Sequence, residues 1–309
     1  MTEQDDERGP VDERDRLAER FETHRGELRA VAYRMLGSSG EAEDAVQETW
    51  LRLRRVDAGE VDNLPGWLRT VITRICLDML RARRSRREDL VGAQVPDQFT
   101  EPAGAGTPEQ EALLADSVSR ALLVVLDALE PAERVAFVLH DMFAVPFAQI
   151  GPIVERTPQA AKKLASRARL KVHGIPALPA SELTRHRRIV SEFLTAARAG
   201  DLTGVLAVLA PDVVRSADPA ALPEGAAAVV RGARAVAEGT AVLAQRSQAA
   251  EIVLVDGAVG VVVAPLGRLL FALTFTFAGD TIAGYHVIAD PERLRRLDIA
   301  VLDGVAPGT

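Results

Sequence analysis

The stretch LPGWLRTVITRICLDMLRARRSRRE, residues 64–88, carries two signals at once. Leu64, Trp67, Leu68, Val71, Ile72, Ile75 and Met79 recur at the spacing of one helical face, which predicts an amphipathic helix with that stripe on a core. The helix then ends in Arg81, Arg83, Arg84, Arg86 and Arg87. Cations at a helix C-terminus complement its dipole, but one or two suffice for that. A denser run suits phosphate, because each neutralised phosphate releases counterion. Trp67 and Arg74 suit base stacking and backbone contact with an unpaired strand, although the stripe position of Trp67 suits a core place at least as well.

This basic helix end sits in an acidic chain. Over 309 residues, 44 Asp and Glu oppose 37 Lys and Arg, for a net charge of -7. That balance argues against indiscriminate nucleic-acid binding and leaves room for a local basic face. Much of the acid (Glu3, Asp5, Asp6, Glu7, Asp12, Glu13, Asp15) lies in residues 1–15, which read as a solvated, disordered tail. The one cysteine, Cys76, excludes an internal disulfide and points to a reducing compartment, its expected place being a small buried thiol. The first residues are acidic, unlike a signal peptide. The longest apolar run, Ala258 to Gly267, is broken by Pro265 and too short to span a bilayer. A soluble, cytoplasmic protein is expected. The five histidines show no ligand spacing, so neither a metal site nor a cofactor is expected.

Outward from the arginine-ended helix, the N-terminal side is helical. Leu28, Val31, Ala32 and Met35 form an apolar face closed by Gly37-Ser38-Ser39-Gly40, and EAEDAVQETWLRLRRV makes a second helix with an acid-rich start. On the other side, VGAQVPDQFTEPAGAGTP, residues 91–108, is a Gly/Pro/Ala-rich linker and a natural boundary. ALLVVLDALEPAERVAFVLHDMF predicts two helices separated at Glu130-Pro131. From Pro146 to Val172 the pattern is helix-turn-helix, with Thr157 as N-cap and Pro158 as first helical residue. Its second helix offers Gln159, Lys162, Lys163, Ser166, Arg167 and Arg169 where such a helix meets base edges, while Leu164, Ala168 and Val172 would face the core. A solvated basic face in an ordinary helix pair would look the same.

Beyond GIPALP the character turns α+β. RHRRIVSEFLTAARAGDLTGVLAVLAPDVV predicts one or two helices, and AAEIVLVDGAVGVVVAP two strands joined at Asp256-Gly257. RLLFALTFTFAGDTIAGYHVIAD predicts two more strands joined near Gly279-Asp280. The amphipathic piece RLRRLDIAVL follows, with Leu294, Leu297 and Val301 on one side.

Taken in order, GEAEDAVQETWLRL, LPGWLRTVITRICLDMLRARRSRR and ALEPAERVAFVLHDMFAVPFAQIGPIVERTPQAAKKLASRARLKV resemble an extracytoplasmic-function sigma factor of the sigma-70 family, over about residues 16 to 173. The remainder resembles the SnoaL-like, nuclear-transport-factor-2-like cone fold that some of these factors carry. The resemblance implies a multidomain protein: a tail (1–15), a region 2 bundle (16–90), a linker (91–112), a region 4 helix-turn-helix (113–175), a linker (176–184) and an α+β SnoaL-like regulatory domain (185–309). It implies core RNA polymerase and promoter DNA as partners, no membrane, and room for an unidentified small ligand in the cone.

Carried over by position, Glu43, Asp44, Gln47, Glu48 and Trp50 would dock on the polymerase clamp. Asn63, Trp67, Thr73, Arg74, Arg81, Arg83 and Arg84 would meet the -10 element, Thr73, Arg74, Leu77 and Arg81 on the face opposite the stripe and the arginines after Leu80 on upstream duplex phosphate. Gln159, Lys162, Lys163, Ser166, Arg167 and Arg169 would read the -35 element. A partial linker motif (Val91, Gly92, Pro96, Asp97) and DPERL (Asp290, Pro291, Leu294) would serve regulation between domains, whereas the group's glycine-rich aspartate motif is replaced by SADPAALPEG. The acidic net charge then suits a subunit that binds DNA weakly until polymerase presents it.

Two other readings use the same residues. A ligand-responsive helix-turn-helix regulator would not need the arginine-ended helix. A SnoaL-like enzyme would need an acid/base pair, for which Asp212, Asp218, Tyr285 and His286 are candidates; Tyr285 and His286, adjacent on a strand, point to opposite faces.

Overall fold

The structure, a computed structural model, describes residues 10–56, 61–89, 119–222, 225–241 and 248–302. Two compact units cut across chain order: residues 1–114 with 130–166, and residues 115–129 with 167–309.

The first unit opens with α1 (Pro10–Leu36), α2 (Ser39–Leu53) and α3 (Leu64–Asp89). Helix α1 begins inside the stretch expected as a tail; residues 1–9 lie outside the described ones. Gly37, at φ 73°, ends α1, a conformation glycine adopts without strain. Ser38 then accepts the Glu41 N–H at 3.4 Å and starts α2. Asn63 does the same for α3, its Oδ1 accepting the Gly66 N–H at 3.1 Å. The three helices pack on one another around Leu28, Val31, Ala32, Met35, Ala42, Ala45, Val46, Leu68 and Ile72, all buried.

Two predicted helices follow the linker, separated at Glu130-Pro131 as expected: α4 (Arg120–Asp127), which belongs to the second unit, and α5 (Pro131–Phe137), which returns to the first. A π turn at Val138–Met142 follows α5. Next come α6 (Phe147–Ile153) and α7 (Pro158–His173). Helix α3 is buried over a wider arc than its stripe predicts, because Thr73, Cys76, Leu77 and Leu80 are buried as well. The reason is a second covering: α5 and α6 lie against α3, and the π turn lies against α1.

In the second unit, α8 (Ala180–Ala199) and α9 (Leu202–Val208) precede a seven-stranded sheet. Its strands are β1 (Leu209–Ala217), β2 (Val229–Arg231), β3 (Ala250–Val255), β4 (Ala258–Val263), β5 (Phe271–Ala278), β6 (Thr281–Ile288) and β7 (Ile299–Val301). Helix α10 (Ala233–Ala241) follows β2, and α11 (Pro291–Arg296) follows β6. The order is β2-β1-β6-β5-β4-β3-β7, antiparallel except for the parallel pair β1/β6. Both predicted hairpins form, Asp256-Gly257 with φ of 50° and 77° as a two-residue turn of that kind requires.

One sheet face packs its Leu254, Val261 and Tyr285 with Ile189, Phe193 and Val205 of the helices. The other face carries Val253, Val255, Val262, Ala272 and Ile288 and is covered by Ala121 of α4, with Leu294 and Leu297 beside it. Two expectations change here. LAPDVV opens β1 instead of ending a helix, because it pairs with the buried strand β6. RLRRLDIAVL is divided into the end of α11 and β7, which pairs with β3 and forms one edge of the sheet.

Candidate nucleic-acid interface

The helix-turn-helix forms as its spacing predicts. Thr157 Oγ1 accepts the Ala160 N–H at 3.2 Å, and Pro158 opens α7. Gly151 of α6 makes the close approach: a Cβ there would stand 2.8 Å from the Arg156 carbonyl oxygen. The turn also holds Glu155 at φ 57°, a backbone region that non-glycine residues seldom adopt. Along α7, Ala161, Ala165, Ala168 and Val172 are buried, and Leu164 is half-buried. Gln159, Lys162, Lys163, Ser166 and Arg167 are exposed on the opposite side, and Arg169 is half-buried at its margin. A row of donors and cations on the second helix of such a pair can hydrogen-bond base edges and hold phosphate.

On α2, Asp44 and Gln47 are exposed, whereas Glu43 pairs with Arg25 and Glu48 with Arg52 at 2.9 Å. Trp50 is half-buried against Phe21, with ring centroids 5.1 Å apart. The group presents acid together with one anchored aromatic ring.

The α3 residues are not all on one open face. Asn63 is exposed and caps α3; Trp67 is half-buried; Arg74 is exposed. Thr73, expected toward DNA, is 0% exposed, and its hydroxyl donates to the Arg69 carbonyl at 2.7 Å. The second covering of α3 encloses it. Arg83 turns inward to the α1/α2 junction, donating to the Leu36 carbonyl at 3.2 Å and pairing with Glu41. Arg81 lies 3.8 Å from Asp78 and 3.9 Å from Glu155, and Arg84 pairs with Glu130. The arginine run therefore divides into one cation that ties α3 to α1 and α2 and two that face acids from residues 130–155.

Sequence reading missed the residue at the middle of this arrangement. Arg134 of α5 is 2% exposed, and its Nε and Nη2 both donate to the Arg34 carbonyl at the end of α1, each at 3.4 Å. The Arg34 guanidinium itself lies 5.3 Å from the centroid of the Phe143 ring. An arginine inside an apolar helix was the available signal. Cys76 is buried in the same unit, and burial pushes its thiol up to about 12.

In the second unit, Tyr285 and His286 do face opposite sides. The Tyr285 hydroxyl meets Thr240 Oγ1 at 3.0 Å among the packed helices, and burial raises its pKa. His286 Nδ1 shares a 2.7 Å hydrogen bond with Ser216, and its Nε2 stands 3.4 Å from Asp218. Asp218 also accepts the N–H groups of Ala289 and Asp290 and pairs with Arg293. Asp290 caps α11, accepting the Arg293 N–H at 2.8 Å; Pro291 is its first residue, and Leu294 packs on the sheet. Pro96 and Asp97 lie outside the described residues. Among the described residues no group of acids, histidines and cysteine could hold a metal, and no helix is long and apolar enough to cross a membrane.

Residues 20–86 match sigma-70 region 2, and residues 119–172 match sigma-70 region 4. The chain is 41% identical over 199 residues to the ECF RNA polymerase sigma factor SigJ of Mycobacterium tuberculosis, a match covering 64% of each protein. It is 35% identical over 208 residues to the probable ECF RNA polymerase sigma factor SigI of the same species, covering 67% of this chain and 72% of SigI. The crystal structure of SigJ aligns over 89% of this chain and 97% of that one, at 32% identity and a TM-score of 0.43. The chain belongs to the family of ECF RNA polymerase sigma factors.

Proposed function

We propose that this chain directs core RNA polymerase to promoters in the cytoplasm, region 2 reading and melting the -10 element and region 4 reading the -35 element. The observation that carries this reading is the exposed row Gln159, Lys162, Lys163, Ser166 and Arg167 on α7, in a chain whose α3 ends in an arginine run. The acidic side of α2, with Asp44 and Glu48, suits a basic surface of the polymerase clamp. The α+β domain regulates the helical regions in cis, with the DPERL helix α11 as part of that device.

Run-off transcription with core polymerase tests the reading. Wild-type chain yields a promoter-dependent transcript, and charge reversal at Asp44 and Glu48 lowers core binding while the protein stays folded. Alanine at Lys162, Lys163 and Arg167 lowers promoter use; if one of them is bidentate to guanine, its loss costs about 1–3 kcal/mol and relaxes specificity at one position. A full-length transcript yield from the triple alanine variant removes α7 from -35 recognition.

A further inference from the structure

Arg81 and Arg84, the arginines that the sigma-factor reading assigns to upstream duplex phosphate, are held by acids of region 4. Arg84 pairs with Glu130, the residue just before α5, and Arg81 lies 3.9 Å from Glu155 in the helix-turn-helix turn, with Asp78 of its own helix on the other side. We propose that Glu130 and Glu155 stand in for promoter phosphates, so that the free protein neutralises its own region 2 arginines and must give up these pairs to take DNA. The inference rests on the sigma-factor reading.

Three observations carry it. The run is divided by function: Arg83 is used inside region 2, while the two arginines on either side of it face region 4 acids. Both pairs are half-exposed, with side-chain exposures of 47% and 52% for Arg84 and Glu130 and 47% and 73% for Arg81 and Glu155. Such pairs add little to stability and are screened by salt, so a polyanion can displace them. The Glu155 backbone is the third. At φ 57° a glycine would be relaxed and a glutamate is strained, yet the carboxylate is what reaches toward Arg81. One guanidinium cannot hold a carboxylate and a phosphate in the same place, so these pairs and DNA binding compete.

The test is DNA binding by the full-length protein without polymerase, read as anisotropy of a labelled duplex over a salt series. Glu130→Gln with Glu155→Gln should bind on the order of 10-fold tighter at low salt, and the slope of log K against log salt should steepen by up to about 2, one phosphate per released arginine. Glu192→Gln with Glu238→Gln changes net charge equally and removes acids from exposed helix pairs elsewhere; it should leave both quantities near wild type. Adding Arg81→Gln and Arg84→Gln to the first pair should abolish its gain. Glu155→Gly, which the turn's backbone favours, keeps the test valid if a glutamine variant folds poorly. Unchanged affinity and slope, or an equal gain in the control pair, overturns the proposal. Run-off transcription by the wild type separates the two failures. Transcription with unaltered DNA binding in the variants sinks the phosphate stand-in alone, whereas no transcription removes the sigma-factor reading and this inference with it.

Discussion

Residues matched to region 4 are held by two contacts of opposite character. Helix α4, in the second unit, is anchored by apolar burial. Ala121, Leu123, Val124, Val125 and Leu126 are buried; Ala121 joins the Val253, Val255, Val262, Ala272 and Ile288 cluster, and Leu123 closes on Gly267 so tightly that a Cβ there would lie 2.9 Å away. Arg120 adds a charge, 3.9 Å from Glu251. Residues 130–155, in the first unit, add to their apolar covering of α3 a set of polar contacts: Arg134 on the Arg34 carbonyl and the Arg84–Glu130 and Arg81–Glu155 pairs. Apolar burial is non-directional and can be broken only by exposing that surface to water. A half-exposed ion pair can be exchanged for another anion at little net cost. The difference teaches that one short segment carries a lasting apolar anchor at its start and releasable ion pairs after it.

Breaking the anchor should have the largest effect. Ala121→Asp puts an unpaired carboxylate into the apolar cluster on the sheet, where Ala121 is now 2% exposed. Burying such a group should destabilise the second unit by at least about 3 kcal/mol, with almost no dependence on salt. Urea unfolding at low and high salt measures this. A loss that salt abolishes would make the anchor electrostatic after all and erase the contrast.

Arg134→Met comes next, because it nearly keeps the volume of a buried side chain and removes its donors from the Arg34 carbonyl. Losing those hydrogen bonds should cost about 1–3 kcal/mol. Cys76 supplies a native reporter. Burial holds its thiol near 12, so at about pH 8 it stays protonated and should alkylate only when the unit opens. A change of about 1.4 kcal/mol in opening should raise the alkylation rate about tenfold. Equal rates in Arg134→Met and wild type would show that Arg134 does not hold this unit closed.

Much of this was legible because it is local. The α3 stripe, the Thr157-Pro158 start of α7, the Asp256-Gly257 turn and the period-2 strands depend on neighbours a few residues away. The exposed row on α7 was legible for the same reason. What was not legible depends on partners distant in sequence. Thr73 and Leu77 lie outside the stripe and are polar and apolar respectively, so only the arrival of α5 and α6 decides that both are buried. Nothing near Arg83 in sequence announces Leu36 and Glu41 as its partners. PDVV read as the end of a helix because its pairing partner, β6, lies some seventy residues on, Ser216 opposite His286. Helix α4 did carry a signal: RALLVVLD is apolar on every side, the pattern of a helix covered all round.

The smallest effect sharpens the contrast from within the second unit, where a polar contact is buried. Asp218 is 7% exposed and gathers the Ala289 and Asp290 N–H groups at 3.1 and 3.2 Å, the Arg293 side chain and His286. Burial alone would push this acid up; the two backbone donors, Arg293 and His286 outweigh it and hold the carboxyl below its ordinary 3.8. A folded-state value below the unfolded one means that the stabilisation is present above about pH 4 and is lost as pH falls through the folded value. Asp218→Asn keeps the shape and loses the charge, so it should cost about 1–2 kcal/mol near pH 7, less than either change above. Wild type and variant should converge in acid, once the wild-type carboxyl is protonated. Because the carboxylate is enclosed, added salt should leave the difference nearly intact, whereas it should erase whatever Glu130→Gln costs at the half-exposed Arg84. Urea unfolding of the two variants at about pH 7, repeated at high salt and in acid, measures both. An Asp218→Asn deficit that fades with salt as the Glu130→Gln deficit does would mean that burial does not separate lasting polar contacts from releasable ones in this protein.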